Sequence, residues 1–423
     1  MMKQNIIKTE HFGNYVEVTF DSGFKVQILE KKNFSSVYAV FGTKYGSIDT
    51  CFSTDNENFI TVPEGIAHFL EHKLFESEDG DAFARFAKTG AYCNAYTSFD
   101  RTCYLFACSD NCYENLEILL DFVQSPFFTP ETVAKEQGII GQEIKMYEDS
   151  PNWRVLFNML GEMFEKHSVR IDIAGTVDSI AKITDKLLYD CYNSFYDLSN
   201  MCLCIAGNID ADKALEIIKA NVKNDRGVKV YRKTAEEPER VRSNYVEQKL
   251  SVAGPLFCYG YKETYDTPIR SQKEKLVADI MLELLAGDCS PLYRELIDSG
   301  LINDDFGYEY FNGYGYSVIF FEGESHDPEA VCRAIAKEIA RQIEEGIDTA
   351  MLEAVKKAEY GERIRHFESL DATVSEMIES AFFGDDIFAS GDIIKGITEE
   401  DIVARLKGLR EEFSVLSVIN RKD

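Results

Sequence analysis

Apolar and polar positions alternate with period two near the start of the chain. Residues 15–19 and 24–29 are short alternating runs around Asp21-Ser22-Gly23, a pattern that predicts two strands joined by a hairpin turn. Val37–Thr43 reads as a third strand. The period then lengthens. Pro63 opens a helical stretch with Glu64 in its first turn, where the helix dipole favours an acid. A second helix is predicted over 79–89, ended by Gly90. Residues 91–108, rich in Tyr, Thr, Phe and Cys, read as strands, and 116–123 as helix. Thr129-Pro130-Glu131 marks a helix start: a capping Thr, Pro at the first position and an acid in the first turn. That helix runs to about Tyr147, where Asp149-Ser150-Pro151 stops it. Helix at 158–164 and 180–195, a strand at 201–206 and a helix at 211–222 complete this half.

Residues 224–244 are polar and charged with few apolar anchors, which predicts a linker. Beyond them the pattern restarts. A strand at 256–261, helices at 271–286 and 292–298, strands at 306–310 and 316–322, and helices at Pro328–Glu345 and 349–367 follow. Each half therefore reads as strands, two helices, strands, then helices. This order predicts an α+β protein of two related domains, residues 1–223 and 245–423. A length of 423 residues also asks for more than one core.

Charge narrows the function classes. Lys and Arg total 45 against 73 Asp and Glu, a formal net charge of -28. Such a surface repels phosphate backbones and anionic membranes, so neither nucleic acid nor membrane is an expected partner. The N-terminal Met1-Met2-Lys3-Gln4-Asn5 lacks an apolar leader core, and no apolar run of membrane-spanning length follows, so the expected location is the cytoplasm. The 11 Cys are scattered singly in apolar strings, as expected of reduced, buried thiols. Cys108 and Cys112 lack CxxC spacing, and no second pair completes a metal site.

The chemistry concentrates in Glu64-Gly-Ile-Ala-His68-Phe-Leu-Glu71-His72-Lys-Leu-Phe75. On a helix, positions i, i+3 and i+4 share a face, so His68, Glu71 and His72 lie together. Two imidazoles one turn apart can grip one zinc ion from the same direction. A catalytic site then needs a third protein ligand, an open position for water, and a carboxylate to act as general base. Glu71 stands where it can be that base without being a ligand. With six His in the whole chain, HxxEH arises by chance in on the order of one chain in a hundred. The other four, His11, His167, His326 and His366, stand alone. For the third ligand the helix from Pro130 offers Glu136 and Glu143, seven apart on one face, with Glu148 further along; spacing does not choose among them.

The segment from Glu64 to His72 resembles the active-site helix of the insulinase/pitrilysin family of zinc peptidases. Gly90-Ala-Tyr-Cys-Asn94-Ala95-Tyr96-Thr97, Glu136-Gln-Gly-Ile-Ile-Gly-Gln-Glu143, Ile173-Ala-Gly175-Thr-Val-Asp-Ser-Ile180 and Asn200-Met-Cys-Leu-Cys-Ile-Ala-Gly207-Asn208 are similar to four further family segments. The resemblance implies two α/β-roll domains, each an antiparallel-rich sheet with helices on one face, the first binding zinc. It implies Glu143 as the third zinc ligand and Glu136 as an acid that supports the ligands. It also implies that the edge strand at Asn94, Ala95 and Tyr96 receives peptide substrate as an added β-strand, although Asn94 and Thr97 read equally as ordinary strand residues.

The length is similar to that of half-size members, which pair as homodimers or as heterodimers with a sister chain lacking the zinc motif. The whole pattern is most similar to one bacterial branch of these, and that resemblance implies a role associated with elongation factor P modification. The expected activity is zinc-dependent endopeptidase cleavage of peptides or unfolded segments. The alternative is a non-enzymatic or partner-dependent assembly or maturation subunit. A departure favours an unequal partner. Active relatives carry an Arg and a Tyr seven apart in the C-terminal domain; here Arg294 is followed seven residues later by Leu301, and Tyr308 and Tyr310 are out of register.

Overall fold

The alternating runs near the N-terminus pair as antiparallel strands, Gly13–Thr19 with Lys25–Glu30, and Gly23 adopts the positive φ that their connection demands. The computed structural model describes residues 3–9, 13–78, 80–223, 225–264 and 267–422, so His11 and Asp79 lie outside the described residues. Two compact units form, and both are discontinuous in sequence. One comprises 1–144, 172–233 and 365–387; the other comprises 145–171, 234–364 and 388–423.

The first unit holds a seven-stranded sheet in the order Lys3–Thr9, Gly13–Thr19, Lys25–Glu30, Met201–Gly207, Val37–Thr43, Thr102–Cys108, Tyr92–Thr97. Only the pair Lys25–Glu30 with Met201–Gly207 is parallel among these described strands. Position in the sheet explains composition. Met201–Gly207 is central and buried at every residue, whereas the edge strand Tyr92–Thr97 alternates exposed and half-buried residues.

The second unit holds five strands in the order Tyr245–Leu250, Ser414–Arg421, Leu256–Lys262, Tyr316–Glu324, Gly307–Gly313, again with one parallel pair, Tyr245–Leu250 with Ser414–Arg421. Ranked by position in the chain, these five repeat the last five strands of the first sheet: first, last, second, fourth, third. The internal repeat expected from element order is thus present in the strand topology.

Each sheet is covered on its second face by a helix from the other half of the sequence. In the first unit, Tyr104 and Phe106 meet Phe75, Phe86 and Phe122 on one face. On the other, Gly42 leaves room for Phe382, and Gln27 bonds Ser380, both from helix Leu370–Phe383. In the second unit Phe257, Tyr259 and Tyr261 join the core with Leu276, Ile280 and Leu284. Cys258 and Gly260 on the opposite face meet Met159 of helix Pro151–Met163.

Several local readings are corrected. The helix expected from Pro63 begins at Ile66, so Glu64 precedes its first turn. The helix expected from 79 is Ala82–Thr89, capped by Asp81. The helix expected over 180–195 is broken: Val177–Ile180 ends, and Thr184 caps a new one over Asp185–Phe195. Tyr231–Arg232, inside the expected linker, pairs with Cys51–Ser53. All eleven cysteines are free. Among the described residues no helix is long and apolar enough to cross a membrane.

Candidate metal centre

The start of the motif helix Ile66–Leu74 is set by two glycines. Gly65 has φ 86°, and a Cβ there would lie 2.3 Å from the Ala174 carbonyl oxygen. Gly175, at φ 74°, leaves just as little room against the Glu64 carbonyl, which accepts a hydrogen bond from the Ser179 hydroxyl at 2.8 Å. The two backbones close on each other and fix where the helix begins. Gly65→Ala combines a left-handed Cβ penalty with a backbone clash, so it is expected to lower stability by roughly 2–5 kcal/mol. Denaturant midpoints compared with wild type check this; a difference below about 0.5 kcal/mol, the usual size of a neutral surface change, would show that the contact is not strained.

Phe69, Leu70 and Leu74 bury the inner side of the helix, and Phe75 beyond its end stacks on Phe122 at 5.2 Å. His68 and His72 therefore emerge from a rigid bed, with ring centroids 4.6 Å apart. Helix Pro130–Glu148 brings Glu143 to both: 3.6 Å from His68 Nε2 and 3.5 Å from His72 Nε2. One ligand atom from each of His68, His72 and Glu143 lies within 4.8 Å of the others. Glu136, one heptad earlier on that helix, meets His72 Nδ1 at 3.1 Å. Glu148 is not in the cluster. Of the isolated histidines, His167 bonds the Tyr314 carbonyl and His366 faces Glu376.

The donor set fits a zinc ion. Around a tetrahedral ion with bonds of about 2.1 Å, ligand atoms stand about 3.4 Å apart, close to the two imidazole–carboxylate separations. His72 Nδ1 faces Glu136 at 3.1 Å and its Nε2 faces Glu143 at 3.5 Å, so Nε2 is the nitrogen placed to ligate a metal once it has lost its proton. Burial first, and the neighbouring His72 second, push the His68 imidazole down to about 3, so it is neutral, the form that ligates metal. Burial acts on His72 in the same direction, but the Glu136 bond and the charges of Glu71 and Glu143 outweigh it and raise that ring. For Glu136 burial is likewise outweighed, chiefly by His72, and its carboxyl is held low.

Glu71 faces a cavity of about 640 Å³ that His72, Phe75, Phe83, Asn94 and Ala95 also line. Its carboxyl is raised by burial, against the opposing pull of a Thr97 hydrogen bond and of His72. Asn94 accepts from the Ala95 amide at 2.9 Å and donates to the Tyr92 hydroxyl at 3.0 Å. Asn94 and Ala95 thus stand beside Glu71, while Tyr96 does not line that cavity. Thr97 is the contact that sequence reading did not assign. It follows from the register that sets Thr97 opposite Thr102, which no local sequence pattern carries.

The second unit repeats the strand order but not the histidines. On its helix Gln272–Ala286, Asp279 and Glu283 are four apart, the spacing of His68 and His72. Between that helix and Thr349–His366, Arg363 bonds Asp279 at 2.9 Å and Glu359 at 2.7 Å, and the Tyr308 hydroxyl donates to Glu283. A guanidinium held by carboxylates stands there in place of a ligand cluster.

The family model described as insulinase (peptidase family M16) matches residues 60–177, and the one described as peptidase M16 inactive domain matches residues 182–359. An uncharacterized zinc protease of Bacillus subtilis (strain 168), YmfH, is 40% identical over 391 residues, 90% of each chain. The crystal structure of an M16-like peptidase from Alicyclobacillus acidocaldarius superposes with TM-score 0.91 at 32% identity, covering 100% of this chain and 99% of that one. Pitrilysin shares the fold at TM-score 0.76 and 15% identity; the match covers 99% of this chain and 46% of pitrilysin.

Proposed function

This chain belongs to the insulinase peptidase family, M16, and from that membership we propose that it is a zinc-dependent metalloendopeptidase acting on peptides or unfolded protein segments. The observation that carries the reading is the convergence of His68, His72 and Glu143 beside the carboxylate of Glu71. His68, His72 and Glu143 hold the metal, and Glu136 keeps His72 oriented through Nδ1. When bound, zinc supplies Lewis-acid polarisation of the scissile carbonyl and acidifies the attacking water. Glu71 accepts the proton of that water and delivers it to the leaving amine; its raised carboxyl suits both halves of the transfer. The edge strand at Asn94, Ala95 and Tyr96 takes the substrate main chain as an added strand, a mode that tolerates many sequences. In this reading residues 1–223 form the catalytic domain, 224–244 a linker and 245–423 a non-catalytic counterpart, in a cytoplasmic protein that pairs with a second chain.

One observation favours a partner-dependent variant of this reading. Tyr308 is engaged by Glu283, and Tyr310 bonds Ser317 beneath the Arg405 guanidinium. These nearby tyrosines are committed within the second unit, so donors to the substrate carbonyl would come from a sister chain, in assembly or maturation work such as that associated with elongation factor P. The test is cleavage of a mixed library of unstructured peptides by zinc-loaded protein, with and without chelator. Chelator-sensitive cleavage is the expected result. No cleavage by the metal-loaded chain, either alone or mixed with the sister chain, would sink the enzymatic reading.

A further inference from the structure

The hairpin that forms the edge of the first sheet closes over residues 98–101, where the Ser98 amide donates to the Arg101 carbonyl at 2.8 Å. Thr97 and Thr102 stand opposite each other at this closure, with hydroxyl oxygens 3.3 Å apart. Each hydroxyl has one proton to give. Thr102 is fully buried and gives its proton to the Tyr45 carbonyl at 2.8 Å, in a segment anchored by the Tyr45 ring stacked on Phe195 at 4.1 Å. Thr97 gives its proton to Glu71 Oε2 at 2.7 Å. A short bond to a charged acceptor is among the stronger hydrogen bonds, and a β-branched side chain in a strand has little rotamer freedom. The donor is therefore held in place before it meets the carboxylate.

We propose that Thr97 is a positioning residue for the proposed general base: its hydroxyl binds Oε2 of Glu71, which leaves Oε1 to meet the attacking water in the cavity that Glu71 lines. This rests on the metallopeptidase reading above. Glu71 projects from the helix that carries the two proposed histidine ligands, and the hydrogen bond that holds its carboxylate comes from Thr97 on the edge strand. The edge strand thus has two separable duties: main-chain pairing with substrate, and side-chain control of the base.

The test compares Thr97→Val, which keeps the shape and removes the donor, with Thr97→Ser, which keeps the donor and removes the methyl. Steady-state peptide cleavage, zinc stoichiometry and thermal unfolding are read for each. In Thr97→Val kcat is expected to fall on the order of 10- to 100-fold while KM and zinc content stay at wild-type values. Thr97→Ser is expected to recover most of the lost kcat. Should the Val variant fail to fold, Thr97→Ala against Thr97→Ser isolates the same hydroxyl. Wild-type kcat in a folded, zinc-loaded donorless variant overturns the inference, as does a loss that Ser does not restore. No cleavage by zinc-loaded wild type, alone or with its sister chain, removes the metallopeptidase reading itself and this inference with it. Cleavage by wild type with an unchanged Thr97→Val removes this inference alone.

Discussion

Glu71→Gln is expected to keep its zinc and lose turnover, with kcat falling on the order of 10²- to 10⁴-fold, the usual contribution of a positioned general base. The amide has the size of the carboxylate, and its oxygen can still accept from Thr97, so the packing around the motif helix should not change. Neutrality removes the ability to accept a proton at neutral pH. None of the three proposed ligands, His68, His72 and Glu143, is altered, so elemental analysis should return the wild-type metal content. The pairing of these results separates the two roles a zinc site can have. A purely structural site has no use for a base, and Glu71→Gln would then change neither stability nor any cleavage. A variant that cleaves peptides at the wild-type rate would show that the proton goes elsewhere.

The site was legible in the sequence to the extent that it depends on helical spacing. His68, Glu71 and His72 share a face because 3.6 residues make a turn, and Glu136 and Glu143 share one for the same reason. Which acid approaches the histidines is a matter of packing between helices, and spacing alone left Glu136, Glu143 and Glu148 equivalent. The Thr97–Glu71 bond depends on sheet register, which no local pattern encodes. The same division holds for the fold. Thr129-Pro130 marked a true helix start because capping is local. Helix Leu370–Phe383 was not foreseen, because what it covers is a sheet built from the other half of the chain. Tyr245–Leu250 lies just beyond the expected linker and carries no strand signal, because an edge strand with alternating exposure is rich in polar residues. Pro63 predicts a helix start, yet the positive φ of Gly65 delays that helix to Ile66.

His68→Ala is expected to leave the protein folded and without stoichiometric zinc. The helix is held from its inner side by Phe69, Leu70 and Leu74, none of which the substitution touches. What it removes is one of three converging protein donors, leaving an imidazole and a carboxylate 3.5 Å apart. Loss of a supporting acid behind a ligand already costs about 10–100-fold in metal affinity, and loss of a ligand should cost more. Stability supplies a second readout, independent of activity. An ion that binds only the folded state stabilises it by RT ln(1 + [L]/Kd), so saturating zinc should raise the unfolding midpoint of wild type. The midpoint of His68→Ala should not respond to zinc, whereas that of chelated wild type should rise when zinc is restored. Because the wild-type His68 imidazole is buried and neutral, its removal uncovers no charge, and the apo variant should lose only the packing of the truncated ring. Elemental analysis after dialysis decides the point: retained stoichiometric zinc in the variant would reject His68 as a ligand, whereas its loss with an intact fold places the metal on the face that His68 and His72 share.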